Sequence, residues 1–357
     1  MINTPNWEQA KERMTALLHG EALDRPCMHI TCPKTPGVKV DPPRGLHDPR
    51  ETDLDELLDR FEAHIESRLY LGEAFPTASL SFGPDTFSAY LGCDLEYMEN
   101  RFTSWAIPAI EDWDDPPAFE FDPANEWWQR MTKTLEQAGA RAKDRYLLQC
   151  PDTHAGGDAL AAIRGQERLC LDAIDCPENI EAAMAKIAEA VIPYFDGVFE
   201  ILGKHQDGTP CMGCWMPGTS CMVQCDFIAL VSTDMVKRFF LNEMRIETEY
   251  LDYCYFHLDG PDALKHMDTV LELPELDGLN YVVGTGQEFS LEQTIDLYKR
   301  VQAAGKIAVL GLAGARLETV LEHLDPSKLF LRMGARDPEH ADEILKTAER
   351  ITAEKWA

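Results

Sequence analysis

The apolar positions along the chain alternate between helical and strand spacing. Residues 7–19 carry apolar groups at intervals of three and four, which is typical of an amphipathic helix, and Gly20 is a natural stop. Short apolar runs then recur, each followed by a stretch with helical spacing. Continuous apolar runs of this length indicate strands that are buried on both faces. The pattern therefore predicts alternating strands and helices.

Eight strand–helix units can be counted. The predicted strands cover residues 27–32, 78–82, 146–151, 210–215, 253–256, 278–284, 306–312 and 329–335. Eight units match a single α/β domain over residues 1–357, a (β/α)8 TIM barrel with an N-terminal helix and long loops at its C-terminal face. The Pro-rich stretch 33–52 is such a loop, of the kind that often covers a binding site. An open, doubly wound sheet would normally carry a glycine-rich phosphate loop, and the sequence has none.

Composition narrows the classes of partner. The 357 residues include 62 acidic and 33 basic side chains, giving a formal net charge of −29. A surface this acidic repels phosphate backbones and anionic membranes, so neither nucleic acid nor a membrane is expected as a partner. The first residues lack the apolar core of a signal peptide, and the 11 cysteines do not resemble a disulfide framework. We therefore expect a cytoplasmic protein with reduced thiols.

The stretch YCYFHLDGPDALKHMD, residues 253–268, carries the clearest candidate chemistry. His257 and Asp259 are two residues apart, so they share one face of a strand that ends at Gly260. At the carboxyl end of such a strand, an imidazole and a carboxylate are placed where barrel enzymes carry out catalysis. The alternative is structural, with His257 in the core and Asp259 capping the next helix. His29, in the first predicted strand, is a further candidate.

Two other groups have structural alternatives. Cys211 and Cys214 form a CxxC pair, but no second pair follows, and the strand predicted over 210–215 would place them on opposite faces. Arg164 falls in a helical segment with acidic neighbours at Asp158, Glu167 and Asp172. An exposed ion pair, and not recognition of a substrate anion, is the expected role of Arg164.

Several stretches together resemble the uroporphyrinogen decarboxylase superfamily. These are the DRP before the first strand, GPDTFSAYLG, LAAIRGQERLCLDAIDCPENI, QCDF and FHLDGPDALKHMD, and they are spread over nearly the whole chain. The resemblance implies a TIM barrel. Its decarboxylase members bind an acidic tetrapyrrole through arginines near the first strand, but here that stretch reads HITCPKTPG, without an arginine. The chain is therefore more similar to the corrinoid-dependent methyltransferases.

The resemblance to the methyltransferases implies a zinc site. Their ligands are typically a His-x-Cys pair and a later cysteine, and His257-x-Asp259 stands where His-x-Cys would be. A carboxylate can replace a thiolate as a zinc ligand. The last predicted strand offers Met333 and no cysteine, so Cys225 of QCDF is the expected third ligand. Its structural alternative is a small buried residue at a helix start.

Three functions remain open from the sequence. The first is a methyltransferase that acts on a small methylated or methoxylated compound, with zinc as Lewis acid and a corrinoid carried by a partner protein. The second is a metal-free decarboxylase or lyase for an acidic substrate, in which His257 or Asp259 handles a proton. The third is a non-catalytic binding barrel. The site residues expected for an enzyme are His29, Cys225, His257 and Asp259, and the sequence leaves the oligomeric state open, with a homodimer as one option.

Overall fold

The computed structural model describes residues 1–35, 37–38, 40, 52–97, 103–284 and 289–356. These residues form strands β1 (Cys27–Pro33), β2 (Arg68–Gly72), β3 (Thr77–Ala78), β4 (Leu95–Tyr97), β5 (Ser104–Ala106), β6 (Leu147–Leu148), β7 (Thr209–Cys211), β8 (Cys214–Met216), β9 (Ser220–Gln224), β10 (Tyr253–Asp259), β11 (Gly278–Val282), β12 (Ile307–Gly311) and β13 (Leu329–Gly334). Most of the predicted 33–52 loop lies outside the described residues.

Helices follow most of the strands that run parallel. They are α1 (Trp7–Leu18), α2 (Leu54–Glu66), α3 (Thr86–Tyr90), α4 (Glu126–Ala142), α5 (Gly156–Arg164), α6 (Gln166–Asp175), α7 (Pro177–Gly203), α8 (Thr233–Met235), α9 (Leu241–Tyr250), α10 (Met267–Leu271), α11 (Leu291–Ala303), α12 (Leu317–His323) and α13 (Pro338–Trp356). Within the described ranges, none of these helices is both long and apolar enough to cross a membrane.

A parallel sheet organises the fold. Its six parallel strands lie in the order β9-β10-β11-β12-β13-β1, and β2 is added antiparallel at the β1 edge. β3 and β6 form a separate parallel pair. Together these eight parallel strands and their helices are consistent with a TIM-barrel-like arrangement. Among the described residues, no ladder joins β1 to β3 or β6 to β9, so the structure does not show a closed ring.

The fourth predicted strand was misplaced. Residues 209–216 form an antiparallel hairpin of β7 and β8, in which Cys211 pairs with Cys214, and the parallel strand is instead β9. The positive φ of Met212 and Gly213, 51° and 88°, explains the tight turn between the two hairpin strands. The prediction that Cys211 and Cys214 lie on opposite faces was therefore wrong. β2 was also not among the predicted strands, because it directly follows the helical spacing of α2.

One end of the parallel sheet is closed by apolar packing. Residues of α1, including Met14, pack with Trp215 of the hairpin and with Tyr255 and Phe330 from the strands. All four side chains are 5% exposed or less. Because Tyr255 lies near the start of β10 and His257 near its end, this cluster forms a floor beneath the carboxyl ends of the strands. The opposite end is thereby left for a binding site.

A buried ion pair anchors the first strand to this framework. Arg25, in the DRP segment, donates two hydrogen bonds to Glu73, at 2.7 and 2.8 Å. Glu73 also accepts from the backbone N–H of Met28, at 2.6 Å. Both charged residues are at least nine-tenths buried. This bidentate geometry satisfies both charges and fixes where β1 begins relative to the chain after β2.

Candidate active site

His257 and Asp259 lie at the carboxyl end of β10, as the strand assignment predicts. Their neighbours Phe256 and Leu258 are fully buried in the core that packs against the helices. Because side chains alternate along a strand, His257 and Asp259 project to the other, inner face, above Tyr255 of the floor. Gly260, with φ of +79°, then turns the chain away from the strand.

The orientation of His257 is set by the next strand. Its Nδ1 lies 3.2 Å from Oδ1 of Asn280, and Asn280 in turn donates through Nδ2 to the carbonyl of Val309, at 2.9 Å. Since the Asn280 amide must point its nitrogen at that carbonyl, its oxygen faces the imidazole, and Nδ1 of His257 carries the donated proton. In the tautomer that this contact favours, the lone pair is on Nε2, and no hydrogen bond engages Nε2 within the part of the chain that the structure describes.

Asp259 has spare hydrogen-bonding capacity beside His257. Its Oδ1 is buried and has no partner among the described residues. The hydroxyl of Tyr281 is likewise buried without a partner. Burial raises the pKa of Tyr281, and the charge of Asp259 raises it further, which places the carboxylate near that ring. Buried polar atoms without partners are rare in folded proteins and are often found where a ligand completes the site.

A second polar group adjoins His257 through Gln224. Gln224 is the register partner of His257 on β9, and its amide donates to Oδ1 of Asp152 at 2.5 Å. The same amide nitrogen lies 2.9 Å from Nδ1 of His154. Asp152 and His154 follow β6, so three strand ends contribute to one polar surface. This surface, comprising Asp152, His154, Gln224, His257 and Asp259, is the candidate active site.

His154 is held as a cation by carboxylates. Its Nδ1 lies 3.2 Å from Asp152, and its Nε2 lies 3.6 Å from Asp226. Burial alone would lower the pKa of His154, but the nearby carboxylates of Asp152 and Asp226 outweigh it and raise the pKa to about 11. The two carboxylates therefore favour the imidazolium, whose Nδ1–H is then directed at Asp152, because the Gln224 amide nitrogen is itself a donor. The backbone of His154 adopts φ of +37°, which is uncommon outside glycine and positions the ring between these acids.

Asp158 supports this group from the first turn of α5. Its two carboxylate oxygens accept the backbone N–H groups of Asp226 and Phe227, at 2.9 and 2.8 Å, where a short 3-10 helix begins. Burial raises the pKa of Asp158 to about 6. Beside it opens a cleft of 880 Å³ whose lining includes Asp85, His154 and Arg164. The cleft gives solvent access to the His154 side of the site.

Only one group of potential metal ligands converges among the described residues. Ligand atoms of His154, Asp158 and Asp226 all lie within 4.8 Å of one another. However, both nitrogens of His154 are engaged by carboxylates, and both oxygens of Asp158 are engaged by backbone amides. A metal would have to displace a proton and break these contacts. The arrangement suits a buried imidazolium better than a zinc ion.

The predicted zinc ligands are not brought together. Cys225 follows the outward Val223 at the end of β9 and is buried in the helix-packed core, against Gly157 and Phe240. Burial raises its pKa well above that of a free thiol, so it is held as a neutral thiol. His257 and Asp259 point to the opposite face. Cys225 therefore has the role of its structural alternative, a small buried residue.

His29 does not lie at the carboxyl ends of the strands with His257 and Asp259, as predicted, but closer to the floor. Its Nδ1 is 3.1 Å from the carbonyl of Gly213 in the β7–β8 turn, and its ring packs against Phe75 of the floor. Burial lowers the pKa of His29 to about 4, with smaller contributions from Arg332 and Arg68. No hydrogen bond joins it to His257 among the described residues. His29 thus belongs to the base of the inner face.

Sequence reasoning missed Asp152, His154, Gln224, Asp226 and Asn280. The signal was present for His154 and Asp152, since DTH directly follows the strand predicted to end at residue 151. Gln224 and Asp226 were hidden by the misplaced fourth strand, although QCDF carried the resemblance. Asn280 lies within an apolar run, where a single amide gives no periodic signal.

Comparisons with known proteins show a fold that this chain shares with a solved structure. No protein-family model matches the sequence, and the comparison with curated proteins gives no match. Among solved structures, a methyltransferase from Methanosarcina mazei superposes with a TM-score of 0.62 and 14% sequence identity, covering 98% of this chain and 99% of that chain. At this identity the likeness establishes a shared fold over nearly the full length of both proteins.

Proposed function

We propose that this chain is an enzyme of the uroporphyrinogen decarboxylase superfamily that moves a methyl group between a small methylated or methoxylated compound and a corrinoid carried by a partner protein. One observation carries the proposal. At the carboxyl end of β10, neither Nε2 of His257 nor Oδ1 of Asp259 has a hydrogen-bond partner among the described residues. The fold in which this occurs is shared with a methyltransferase over 98% of the chain.

The proposed role of His257 is proton transfer at the methylated atom. When the acceptor X–H takes a methyl group from the partner's corrinoid, the X–CH3 bond would form as the carbon–cobalt bond breaks with its electron pair left on the corrinoid, and Nε2 of His257 receives the proton of X–H. In the reverse direction the imidazolium returns that proton to X as the methyl group leaves. General acid–base groups of this kind contribute roughly 10² to 10⁴ in rate.

Asp259 and Asn280 assist that proton transfer. Asn280 holds Nδ1–H, so only Nε2 is available to the substrate. The carboxylate of Asp259, on the same strand face, stabilises the imidazolium that forms when Nε2 is protonated. His154, linked through Gln224, adds a permanent positive charge that is balanced by Asp152 and Asp226. None of these roles requires a residue from outside the described part of the chain.

Zinc would supply Lewis-acid activation of the methylated atom if it were bound. Catalytic zinc sites normally use three protein ligands, and the inner face of β10 offers two, His257 and Asp259. In the converging set at His154, both imidazole nitrogens face carboxylates and both oxygens of Asp158 accept backbone N–H groups, which leaves only Oδ1 of Asp226 buried without a partner among the described residues. The residues described therefore do not fit a catalytic zinc ion, and the proposed steps contain none. Metal analysis of the purified protein tests this conclusion, because near-stoichiometric zinc would contradict it.

The proposed activity can be tested with free cob(I)alamin in place of the partner's corrinoid. Formation of methylcob(III)alamin is followed by absorbance with a panel of O-, N- and S-methyl compounds, with and without added zinc. We expect turnover with at least one compound class and a loss of roughly 10² or more in His257→Gln. His323→Gln, on the exposed side of α12, is the matched control and should retain the wild-type rate.

The contrary outcomes are equally clear. Absence of methyl transfer with every class of donor, in the presence and absence of zinc, contradicts the proposal. Release of carbon dioxide from carboxylic acids without methyl transfer would assign the protein to the carboxy-lyase alternative. A wild-type rate of methyl transfer in His257→Gln would show that His257 is not the residue that transfers the proton.

A further inference from the structure

The inner face carries no side chain at the ends of β12 and β13. Gly311 ends β12 and Gly334 ends β13, and a Cβ built on either glycine meets no atom of the described residues within 4 Å. Val309 and Phe330 belong to the floor, so Gly311 and Gly334 continue the inner face above them. Val282, at the end of β11, is 41% exposed despite its position in the sheet. The inner face therefore opens into empty space.

Arg332 projects into this space. It lies between Phe330 and Gly334 on β13 and is the register partner of His29 on β1. Its side chain is exposed to solvent, yet burial lowers its pKa. A side chain that lines a concave wall can be accessible to water and still lose part of its hydration, which explains both the exposure of Arg332 and its lowered pKa. Among the described residues, no carboxylate pairs with Arg332.

Arg68 brings a second guanidinium to the other side of β1. It lies on β2, opposite Pro33, and donates to the hydroxyl of Thr31 at 2.6 Å. Thr31 and His29 alternate with the outward Met28 and Ile30, so the Arg68 head reaches toward the inner face. The charges of both Arg68 and Arg332 act on His29, lowering its pKa. Arg68 also has no carboxylate partner among the described residues.

Most arginines of the described chain are paired with a carboxylate, whereas Arg332 and Arg68 are not. Acidic residues outnumber basic ones by 62 to 33, and most other arginines of the described chain are paired, as Arg25, Arg141 and Arg164 are. A guanidinium that loses hydration in a concave wall costs free energy unless an anion joins it. The planar fork of arginine matches a carboxylate or phosphate with two parallel hydrogen bonds. We therefore expect an anionic group of a ligand to occupy the position beside these arginines where the protein supplies no carboxylate.

We propose that Arg332 and Arg68 bind an anionic oxygen group, a carboxylate or a phosphate, of the substrate whose methylated end faces His257 and Asp259. The open space above Gly311 and Gly334 holds the part of the molecule between the two ends. The assignment of the methylated end rests on the proposed function, whereas the anion site rests on the two arginines alone. The substrate class is then a small methylated acid.

Equilibrium binding of three small probes tests the anion site without any turnover. Methoxyacetate and methyl phosphate carry the two anions, and methoxyacetamide is the neutral counterpart. Affinities are measured by calorimetry for the wild type, Arg332→Gln, Arg68→Gln and Arg332→Lys, with thermal unfolding as the check on folding. Arg350→Gln, an exposed arginine of α13 that pairs with Glu318, is the matched control.

We expect at least one anion to bind roughly tenfold more tightly than the amide, a preference that Arg332→Gln removes and Arg350→Gln retains. Arg332→Lys keeps the charge without the fork and should retain part of the preference. Equal affinity for amide and anions, no binding of either anion at millimolar concentration, or an unchanged preference in folded Arg332→Gln overturns the proposal. Because no methyl transfer is measured, failure of the anion site and failure of the proposed reaction are separate results.

Discussion

His257 and Asn280 face each other on adjacent parallel strands, with 3.2 Å between Nδ1 of the imidazole and Oδ1 of the amide. This single contact decides which imidazole nitrogen meets the substrate. A side chain that accepts at this position keeps Nε2 unprotonated, whereas loss of the acceptor frees the ring to rotate and to exchange tautomers. The chemistry proposed for β10 therefore depends on a residue of β11.

We predict that Asn280→Leu lowers kcat for methyl transfer by roughly 10- to 100-fold with less effect on KM. Asn280→Asp should instead retain much of kcat and shift the pH–rate profile upward, because a carboxylate raises the basicity of the imidazole. The tautomer is read by nitrogen NMR of labelled protein, with His257→Gln to assign the signal. Equal losses of kcat in the two variants, with no shift of the profile, would show that Asn280 has only a packing role.

His154 makes folding stability depend on pH. Its pKa is raised from an ordinary value of 6.5 to about 11, so its contribution is fully present below pH 6.5 and declines as the pH rises toward 11. His154→Gln should therefore cost roughly 3 kcal/mol at pH 6 and progressively less toward pH 10. Urea unfolding with a chelator present measures the difference. His323→Gln should stay within about 0.5 kcal/mol throughout, and a cost for His154→Gln that does not vary with pH would contradict the ion pairing.

The buried pair of Arg25 and Glu73 should dominate local stability. Glu73→Gln leaves the Arg25 charge uncompensated in the interior, and we expect a loss of roughly 3–5 kcal/mol in the free energy of unfolding. Asp268→Asn breaks an exposed pair with Arg300 at 2.7 Å and should cost less than about 1 kcal/mol. Chemical denaturation of both variants provides the comparison. Similar small losses would mean that Glu73 is not required to anchor β1.

Arg164 is paired more tightly than the sequence suggested. Instead of an exposed ion pair, it makes a buried fork to Asp172, at 2.6 and 3.2 Å, and donates to the carbonyls of Ile110 and Glu111. Arg164→Lys cannot reproduce the fork and should lower stability by roughly 1–3 kcal/mol while leaving methoxyacetate affinity unchanged. Arg350→Lys, at an exposed pair, is the control. A loss of probe binding by folded Arg164→Lys would instead assign it to the substrate.

The fold was largely predictable because buried strands are apolar on both faces. Seven of the eight parallel strands were located from continuous runs, including β10 with its correct face for His257 and Asp259. The exception is instructive. PCMGCW resembles a buried strand, but Met212 and Gly213 turn it into a hairpin, and SCMVQ is the parallel strand. Local composition does not distinguish the two, since both are buried and neither alternates.

The site was less predictable because it depends on which face each residue occupies. A shift of one residue at the end of β9 exchanges Gln224, which contacts Asp152 and His154, for Cys225, which packs among the helices. Sequence reasoning selected Cys225 from the resemblance, since a thiol suggests a metal ligand and an amide does not. The arginines of the anion site come from β2 and β13, which are more than 250 residues apart in the chain, so spacing could not connect them.

Methyl transfer in His257→Gln, Asp259→Asn and Cys225→Ala, measured side by side with the same donor and cob(I)alamin, tests the central claim most directly. The account predicts that the two inner-face variants lose roughly 10² or more in kcat/KM, whereas Cys225→Ala keeps it within about threefold once its folded fraction is taken into account. A loss of kcat/KM in Cys225→Ala, with wild-type kcat/KM in His257→Gln and Asp259→Asn, would contradict the account and place the chemistry on the other face of the sheet.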